Sequence, residues 1–492
     1  MDKKTPSQRL VPPARTCFTR AHILRGERAA LADIDRSTEA PGASGAAGEA
    51  PAATDWGRYG HRPARVLAAV AFIDAVDRGI LPGVLTKVQD DLGFSDTQGG
   101  LLGTAFVLTG FLVVLPAGYL ADRYARTRII AVVLASWGVI SGMNALVRNF
   151  WQFLLVRATL GIGETVDNPA SQSLLADYYR TDVRGRAFAL QRATPFFGQA
   201  LGVGLAGGIA AVLSWRWAFL LVGVPGSLLA LAVWRLPEPE RGESDDRSAP
   251  AEPEAQLPVT APVPPDRDKG PRALLRDVRT AMEVRTLRSL MVGSAIAAGA
   301  LSGLGFWAAA FYERHTSLGS GGGAGLAGAL ILVGAISGTF IAGRQVDRLR
   351  DRYEGAPMLL AGVCQFIGAA LLMTTFLEVP LWFRIPVQGV AVAFIVGGLV
   401  AIPVMISEVV PATVRGIAFS VTGFLSAMAG AASPLVIGVI ADRFDYVVDG
   451  EVKGNLANAF LIVTPLVLVG SLVLLRGRRH VRADIEAVSA LG

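Results

Sequence analysis

The sequence predicts an all-α membrane protein with twelve transmembrane helices in two six-helix bundles. Composition, recurrent apolar runs and an internal repeat predict it. Of the 492 residues, 52% are hydrophobic and 17% charged, with a mean hydropathy of +0.46. A soluble chain of this length needs a larger charged surface. Here apolar stretches of about 20 residues recur instead, from Ala64 to Leu475. The net charge of +6 comes almost wholly from arginine. These arginines sit in short loops between apolar runs, which argues for membrane topology and against a nucleic-acid partner.

Taken in order, residues 1–63 are rich in Ala, Gly, Pro, Arg and acids and lack a hydrophobic period. They read as a disordered cytoplasmic tail with no signal-peptide pattern. The expected spans of the first bundle (64–236) are 64–85, 97–118, 129–147, 151–176, 187–213 and 217–236. A cytoplasmic linker, 237–287, follows. Its Pro/Glu/Ala stretch cannot form a core, and a basic amphipathic segment, Arg272 to Arg288, is expected on the inner membrane face or as a solvated helix. The second bundle (288–476) holds spans at 288–311, 323–343, 358–377, 383–407, 417–440 and 456–475, before a cytoplasmic tail, 477–492. Loops with Arg123, Arg126, Arg128, Arg180, Arg184, Arg186, Arg344 and Arg348 mark the inner side, so both termini are expected in the cytoplasm.

The two halves repeat each other. Gly118-Tyr-Leu-Ala-Asp122-Arg123-Tyr-Ala-Arg126 follows the second helix of the first half, and Gly343-Arg-Gln-Val-Asp347-Arg348-Leu-Arg350 the second helix of the other. Asp177 precedes Val183-Arg184-Gly185, as Glu408 precedes Val414-Arg415-Gly416 at the same spacing. In this the chain resembles the major facilitator superfamily over residues 64–476. That resemblance implies a substrate site between the halves and a cytoplasmic gate lock of Asp122, Arg123, Arg126, Asp177 and Arg184, repeated by Asp347, Arg348, Glu408 and Arg415. Topology-setting arginines would explain the same residues.

Further segments narrow the resemblance. They are Phe72-Ile-Asp74-Ala-Val-Asp77-Arg78, Asp91-Leu-Gly-Phe-Ser-Asp96, Arg157-Ala-Thr-Leu-Gly161-Ile-Gly163-Glu164, Trp215-Arg-Trp-Ala-Phe219 and, in helix 7, Gly305-Phe-Trp307, Phe311 and Glu313-Arg314. Together they look like the Spinster-like branch, which implies an amphiphilic substrate such as a lysophospholipid and coupling to protons. Asp74 and Asp167 depart from the usual pattern of that branch.

Charges inside spans each cost about 2.5–3.5 kcal/mol on insertion scales and call for a reason. Helix 1 carries Asp74, Asp77 and Arg78, helix 4 Arg157, Glu164 and Asp167, and helix 5 Arg192. Asp77 can pair with Arg78 or Arg157, and Asp167 with Arg192; Asp74 shares a face with Arg78. Four acids then face three arginines. The surplus carboxylate, Glu164 or Asp74, can carry a proton. A static network joining helices 1, 4 and 5 is the competing reading. Glu164 is the main expected carrier, with Asp74 and Asp77 assisting and Arg78 and Arg157 tuning them.

The shift that carries Arg184 onto Arg415 puts Gln388 opposite Arg157 and Ile395 opposite Glu164. The second half therefore offers Gln388 with Phe306, Trp307 and Phe311 as an apolar, aromatic wall of the substrate cavity. Packing or interfacial belts would account for the aromatics equally well. Histidines outside the spans argue against a metal, the absent P-loop against ATP, and the glycine run 319–325 reads as a flexible external loop. No cofactor and no enzymatic activity are expected. The reading is a proton-coupled transporter of an amphiphile, monomeric and multi-pass in a bacterial inner membrane, with membrane lipids around it. A drug or secondary-metabolite exporter and a non-transporting membrane receptor remain as alternatives.

Overall fold

In the computed structural model the described residues are 56–240, Glu243, 278–279, 281–350, 355–411, 415–448 and 450–489. Twelve long helices appear among them. The first half comprises α1 (Arg62–Leu92), α2 (Asp96–Arg123), α3 (Arg126–Met143), α4 (Phe150–Tyr178), α5 (Thr181–Val212) and α6 (Trp215–Trp234). The second comprises α7 (Arg285–His315), α8 (Gly319–Arg350), α9 (Ala356–Thr375), α10 (Leu381–Val409), α11 (Arg415–Ala441) and α12 (Leu456–Ser489). Nine of them are long and apolar enough, among the described residues, to cross a membrane. In α1, Asp74, Asp77 and Arg78 interrupt any uncharged run of that length.

Helix ends follow local chemistry. Asn149 caps α4 by accepting from the Gln152 amide at 2.9 Å, and Ser214 caps α6. Gly93, at φ 65°, ends α1 in the left-handed conformation. Between α11 and α12 lies a feature the sequence reading did not foresee: an antiparallel hairpin of β1 (Asp445–Val448) and β2 (Glu451–Gly454). Its signal was Asp449-Gly450, a dipeptide suited to a tight turn, and Gly450 has φ 84°. We use "hairpin end" for this side of the bundle and "terminal end" for the other.

Small residues set the helix spacing. A Cβ at Gly202 of α5 would collide with the Val76 carbonyl of α1, and one at Gly83 of α1 with the Val203 carbonyl of α5. The glycine run 319–325 belongs to this system and is not a loop. Gly321 to Gly325 lie within α8, where Gly321 and Gly325 pack on Ala211 and Gly204 of α5. The helix starts earlier than expected because closely packed glycines lose little to solvent.

Two apolar clusters form the core. One runs through the first half and into the hairpin-end part of the second, including Leu85, Phe219, Trp307, Phe311 and Phe460. The other, with Leu287, Met291, Met405 and Val481, holds the terminal end of the second half. Large apolar side chains on the outside, such as Trp151, Phe340 and Trp382, face the lipid position.

The expected tail, 1–63, and linker, 237–287, fall largely outside the described residues. Residues 56–63, 237–240 and Glu243 are docked on the first half, whereas Ala281 joins the apolar cluster of the second. Trp56 lies edge-on to Tyr179 at 5.5 Å, and Tyr59 to Tyr178 at 5.0 Å. The Tyr59 hydroxyl donates to Glu243 at 2.8 Å. Of the amphipathic segment, Val278–Arg279 and Ala281–Glu283 are helical, and Ala281 is buried.

Candidate functional site: an ionic half and an apolar half

The buried charges of the first half form two groups. Arg78 pairs with Asp74 one turn earlier, as their spacing on α1 dictates. Asp167 of α4 faces both and accepts from Ser171 at 3.1 Å. Asp74 and Asp167 line one small gap with Val133 and Trp137 of α3. Behind this group, fully buried Asp77 accepts from Ser141 of α3 and faces Arg157 of α4. Arg157 also lies over the rings of Phe153 at 5.5 Å and Phe219 at 5.0 Å. Of the two partners open to Asp77, Arg157 is thus the one that faces it most closely, while Arg78 is engaged by Asp74. The side chains of Glu164 and Arg192 lie outside the described set, and with them the expected Asp167–Arg192 pair.

At the terminal end of the first half, Arg126 is 1% exposed and holds a clamp. It pairs with Asp177, bonds Glu238 at 2.9 Å through Nε and donates to Ser173 at 2.8 Å and to the Pro239 carbonyl at 3.1 Å. Glu238 also accepts from the Thr127 amide at 2.9 Å and hydroxyl at 2.8 Å. Burial opposes ionisation of Glu238, but these donors hold its carboxyl below the ordinary value. The sequence reading missed Glu238 because it lay in a linker read as structureless. Arg184 donates to the Tyr179 carbonyl at 3.0 Å. The side chains of Asp122 and Arg123 lie outside the described set.

The second copy is built differently among the described side chains. Arg348 is exposed, Glu408 and Arg415 are half-buried, and Arg415 reaches the Val410 carbonyl at 3.4 Å. The Asp347 side chain is outside the described set.

A third cluster joins the halves at the hairpin end. Arg314 of α7 makes two 2.8 Å bonds to Asp96 of α2 and one of 2.8 Å to Gln89 of α1. Asp442 accepts from the Asp96 and Thr97 amides at 3.0 and 2.8 Å, and Lys453 of β2 bonds Asp90 at 2.6 Å. Arg314 and Asp96 belong to the segments that carry the family resemblance, but only the fold brings α2 against α7. Two ion pairs, Arg314–Asp96 and Lys453–Asp90, join the halves here.

The second half contains a cavity of about 210 Å³ between α7, α8, α9, α10 and α12. Leu304, Leu330, Ile395 and Phe460 contribute apolar walls, and the Tyr312 hydroxyl bonded to Gln388 forms its polar corner. Phe311 and Gln388 line it. Phe306 and Trp307 do not. Leu301, Leu304, Gly305, Ala308, Phe311 and Tyr312 share the helical face that meets the cavity, so positions 306 and 307 face away. Trp307 is 0% exposed, donates to the Pro434 carbonyl at 2.9 Å and packs on Gly99, while Phe306 covers Gly103. Both aromatics seal the halves together at the hairpin end.

Twelve helices in two six-helix halves, closed on each other at one end, define a multi-pass membrane protein of the secondary-transporter class. The chain belongs to the Major Facilitator Superfamily, which it matches over residues 67–434. Within that family it is similar to Spinster proteins. Protein spinster of Drosophila melanogaster is 32% identical over 183 residues, a stretch that covers 37% of this chain and 30% of the fly protein. Protein spinster homolog 3 of Danio rerio is 26% identical over 406 residues, covering 77% of this chain and 76% of that one. A bacterial homolog of the human lysosomal transporter Spinster, solved in an inward-facing and occupied conformation, superposes with a TM-score of 0.73. It is 20% identical and covers 86% of this chain and 97% of that one, a likeness of fold.

Proposed function

We propose that the protein is a proton-coupled secondary transporter that moves an amphiphilic organic molecule, such as a lysophospholipid, by alternating access. The observation that carries this reading is the division of labour between the halves. Ionic groups occupy the core of the first half, and a cavity with a single polar corner occupies the second. An amphiphile needs both surfaces.

Proton coupling rests on charge arithmetic. Asp74 and Asp167 face one guanidinium, Arg78, while Arg157 stays with Asp77. Among the described side chains one carboxylate of the first group is in excess, and a proton can neutralise it. Glu164, three residues before Asp167 on α4, is the main carrier and Asp74 assists; Asp167 takes the assisting role expected of Asp77, which faces Arg157. Opening of the hairpin end moves α7 away from α1 and α2, changes the water around this group and lets the proton leave. The gate lock, Asp122, Arg123, Arg126, Asp177 and Arg184 with Asp347, Arg348, Glu408 and Arg415, closes the terminal end in the alternate state. The arginine-rich loops support a cytoplasmic position for that end, in a bacterial inner membrane, where the protein works as a monomer.

Uptake into proteoliposomes under an imposed pH gradient, with a panel of lysolipids and amphiphilic drugs, tests this. Glu164→Gln is expected to keep downhill exchange and to lose gradient-driven accumulation, and Asp167→Asn to impair accumulation less. Undiminished accumulation in Glu164→Gln and in the double variant would show that these acids are structural. Accumulation of drugs but no lysolipid would identify a drug transporter.

A further inference from the structure

Above the apolar cavity, at the hairpin end of the second half, lies a separate vestibule of about 510 Å³. Arg384, Asn455, Asn458, His315 and Tyr446 line it, and Phe311 and Phe376 form its floor. The floor is shared: the same two rings line the apolar cavity beneath.

Arg384 is 5% exposed, in the first turn of α10. Its guanidinium reaches the Leu377 carbonyl at 2.9 Å and the His315 carbonyl at 3.4 Å and lies 5.4 Å from the Phe311 ring centre. It forms no ion pair among the described residues, and its Nε is buried without a hydrogen-bond partner. A desolvated guanidinium calls for a counter-charge. A cation at a helix start is doubly unfavourable, because that end of the helix already carries partial positive charge.

A second residue lining the same space, His315, also carries an orphan atom. The His315 ring stacks between Phe311, at 5.0 Å, and Tyr446 of β1, at 4.2 Å, and its Nε2 is buried with no partner. The first turn of α12 also borders the vestibule, so two helix starts converge on it. The neighbouring cation, Arg314, is neutralised by Asp96. One acid lines the vestibule, Glu378, and it is exposed.

We propose that this vestibule is an oxyanion site, taking a carboxylate or phosphate group against Arg384 and His315. The anion supplies the missing counter-charge and the acceptor for Arg384 Nε. The neutral His315 ring, with its hydrogen on Nε2, donates to it. A chain attached to that anion finds the apolar cavity directly behind Phe311 and Phe376. In that form the site rests on the amphiphile reading above; binding of the anion itself does not.

The test uses the full chain in phosphatidylcholine nanodiscs, titrated with inorganic phosphate, with dodecyl phosphate and with dodecanol. Binding is read from tryptophan fluorescence and the thermal midpoint. Dodecyl phosphate is expected to bind, and Arg384→Gln to weaken it at least about tenfold, the scale of one lost charge-assisted hydrogen bond. Arg384→Lys restores part of the affinity. His315→Phe keeps the ring stack and weakens binding also, which covers a failure of Arg384→Gln to fold. Binding of inorganic phosphate with the same dependence identifies a free-anion site; binding of dodecyl phosphate alone identifies a head-group site. Equal binding of dodecanol, no binding of either phosphate, or affinity indifferent to Arg384→Gln and His315→Phe overturns the proposal. Loss of uptake in proteoliposomes with binding intact would count against the transport reading and leave this site standing.

Discussion

Positions related by the repeat carry opposite chemistry in the two halves. Arg157 is buried beside Asp77 in the first, and its counterpart Gln388 receives the Tyr312 hydroxyl at the corner of an apolar cavity in the second. Glu164 corresponds to Ile395, which lines that cavity. The difference teaches that the duplicated backbone does not depend on the residues in its core. Helix spacing is fixed elsewhere, by small residues at the crossings: Gly79, Gly83 and Gly202 between α1 and α5, and Gly334 and Gly338 between α8 and α10. With the crossings fixed, the core positions were left to diverge into an ionic and an apolar surface.

The largest way to break this comparison is at the terminal end. Arg126→Ala leaves Asp177 and Glu238 without the guanidinium they share, a loss of about 3–5 kcal/mol for a buried pair. In the second copy of the motif Arg348, the counterpart of Arg123, is exposed, so Arg348→Ala should change stability by no more than about 0.5 kcal/mol. Thermal unfolding in micelles distinguishes them; equal effects would mean the two loops are built alike. A smaller effect is expected from Ile395→Glu, which moves the chemistry of the first half into the second. An unpartnered carboxylate there costs about 2.5–3.5 kcal/mol and should abolish uptake of long-chain substrates. Normal uptake would show that the cavity does not hold the chain.

Gly305→Phe tests the cavity without adding charge. Nothing lies within 4 Å of a Cβ built at Gly305, so the ring enters free space and fills the cavity. Uptake should shift toward shorter chains, by about 0.8 kcal/mol per methylene excluded, with folding unchanged. An unchanged chain-length profile would place the chain elsewhere. The smallest effect is on pH. The Glu238 carboxyl is held below its ordinary value of 4.5, so its stabilisation is complete above that value and is lost as pH falls through the lower folded value. Thermal midpoints measured down to acid pH should fall less steeply in Glu238→Gln than in the parent. Parallel curves would mean that Glu238 is not ionised in the clamp.

Apolar runs announced the fold because each span must satisfy its own backbone in lipid. The Asp74–Arg78 pair was legible too, since one turn of helix fixes it. What escaped the sequence depended on which helix faces which. Phe306 and Trp307 looked like cavity residues, but their face of α7 meets α2 and α11. Asp96, Arg314 and Gln89 come from three helices, and Glu238 from a polar linker, so no periodicity could join them. Arg384 carried the weakest signal of all: a single arginine near the start of a span reads as an interfacial anchor until its burial is seen.

The length of α12 has a practical consequence. Its 34 residues span about 51 Å, well beyond an apolar thickness of about 30 Å. The surplus turns are held to the body: Asp484 accepts from the Thr286 amide at 2.8 Å, and Val481 packs over Gly355. A protein joined in helical register after Ser489 would therefore be carried as a rigid extension of the second half. It would give electron microscopy a marker of known direction, and its angle to a label on the first half would report each swing of one bundle against the other.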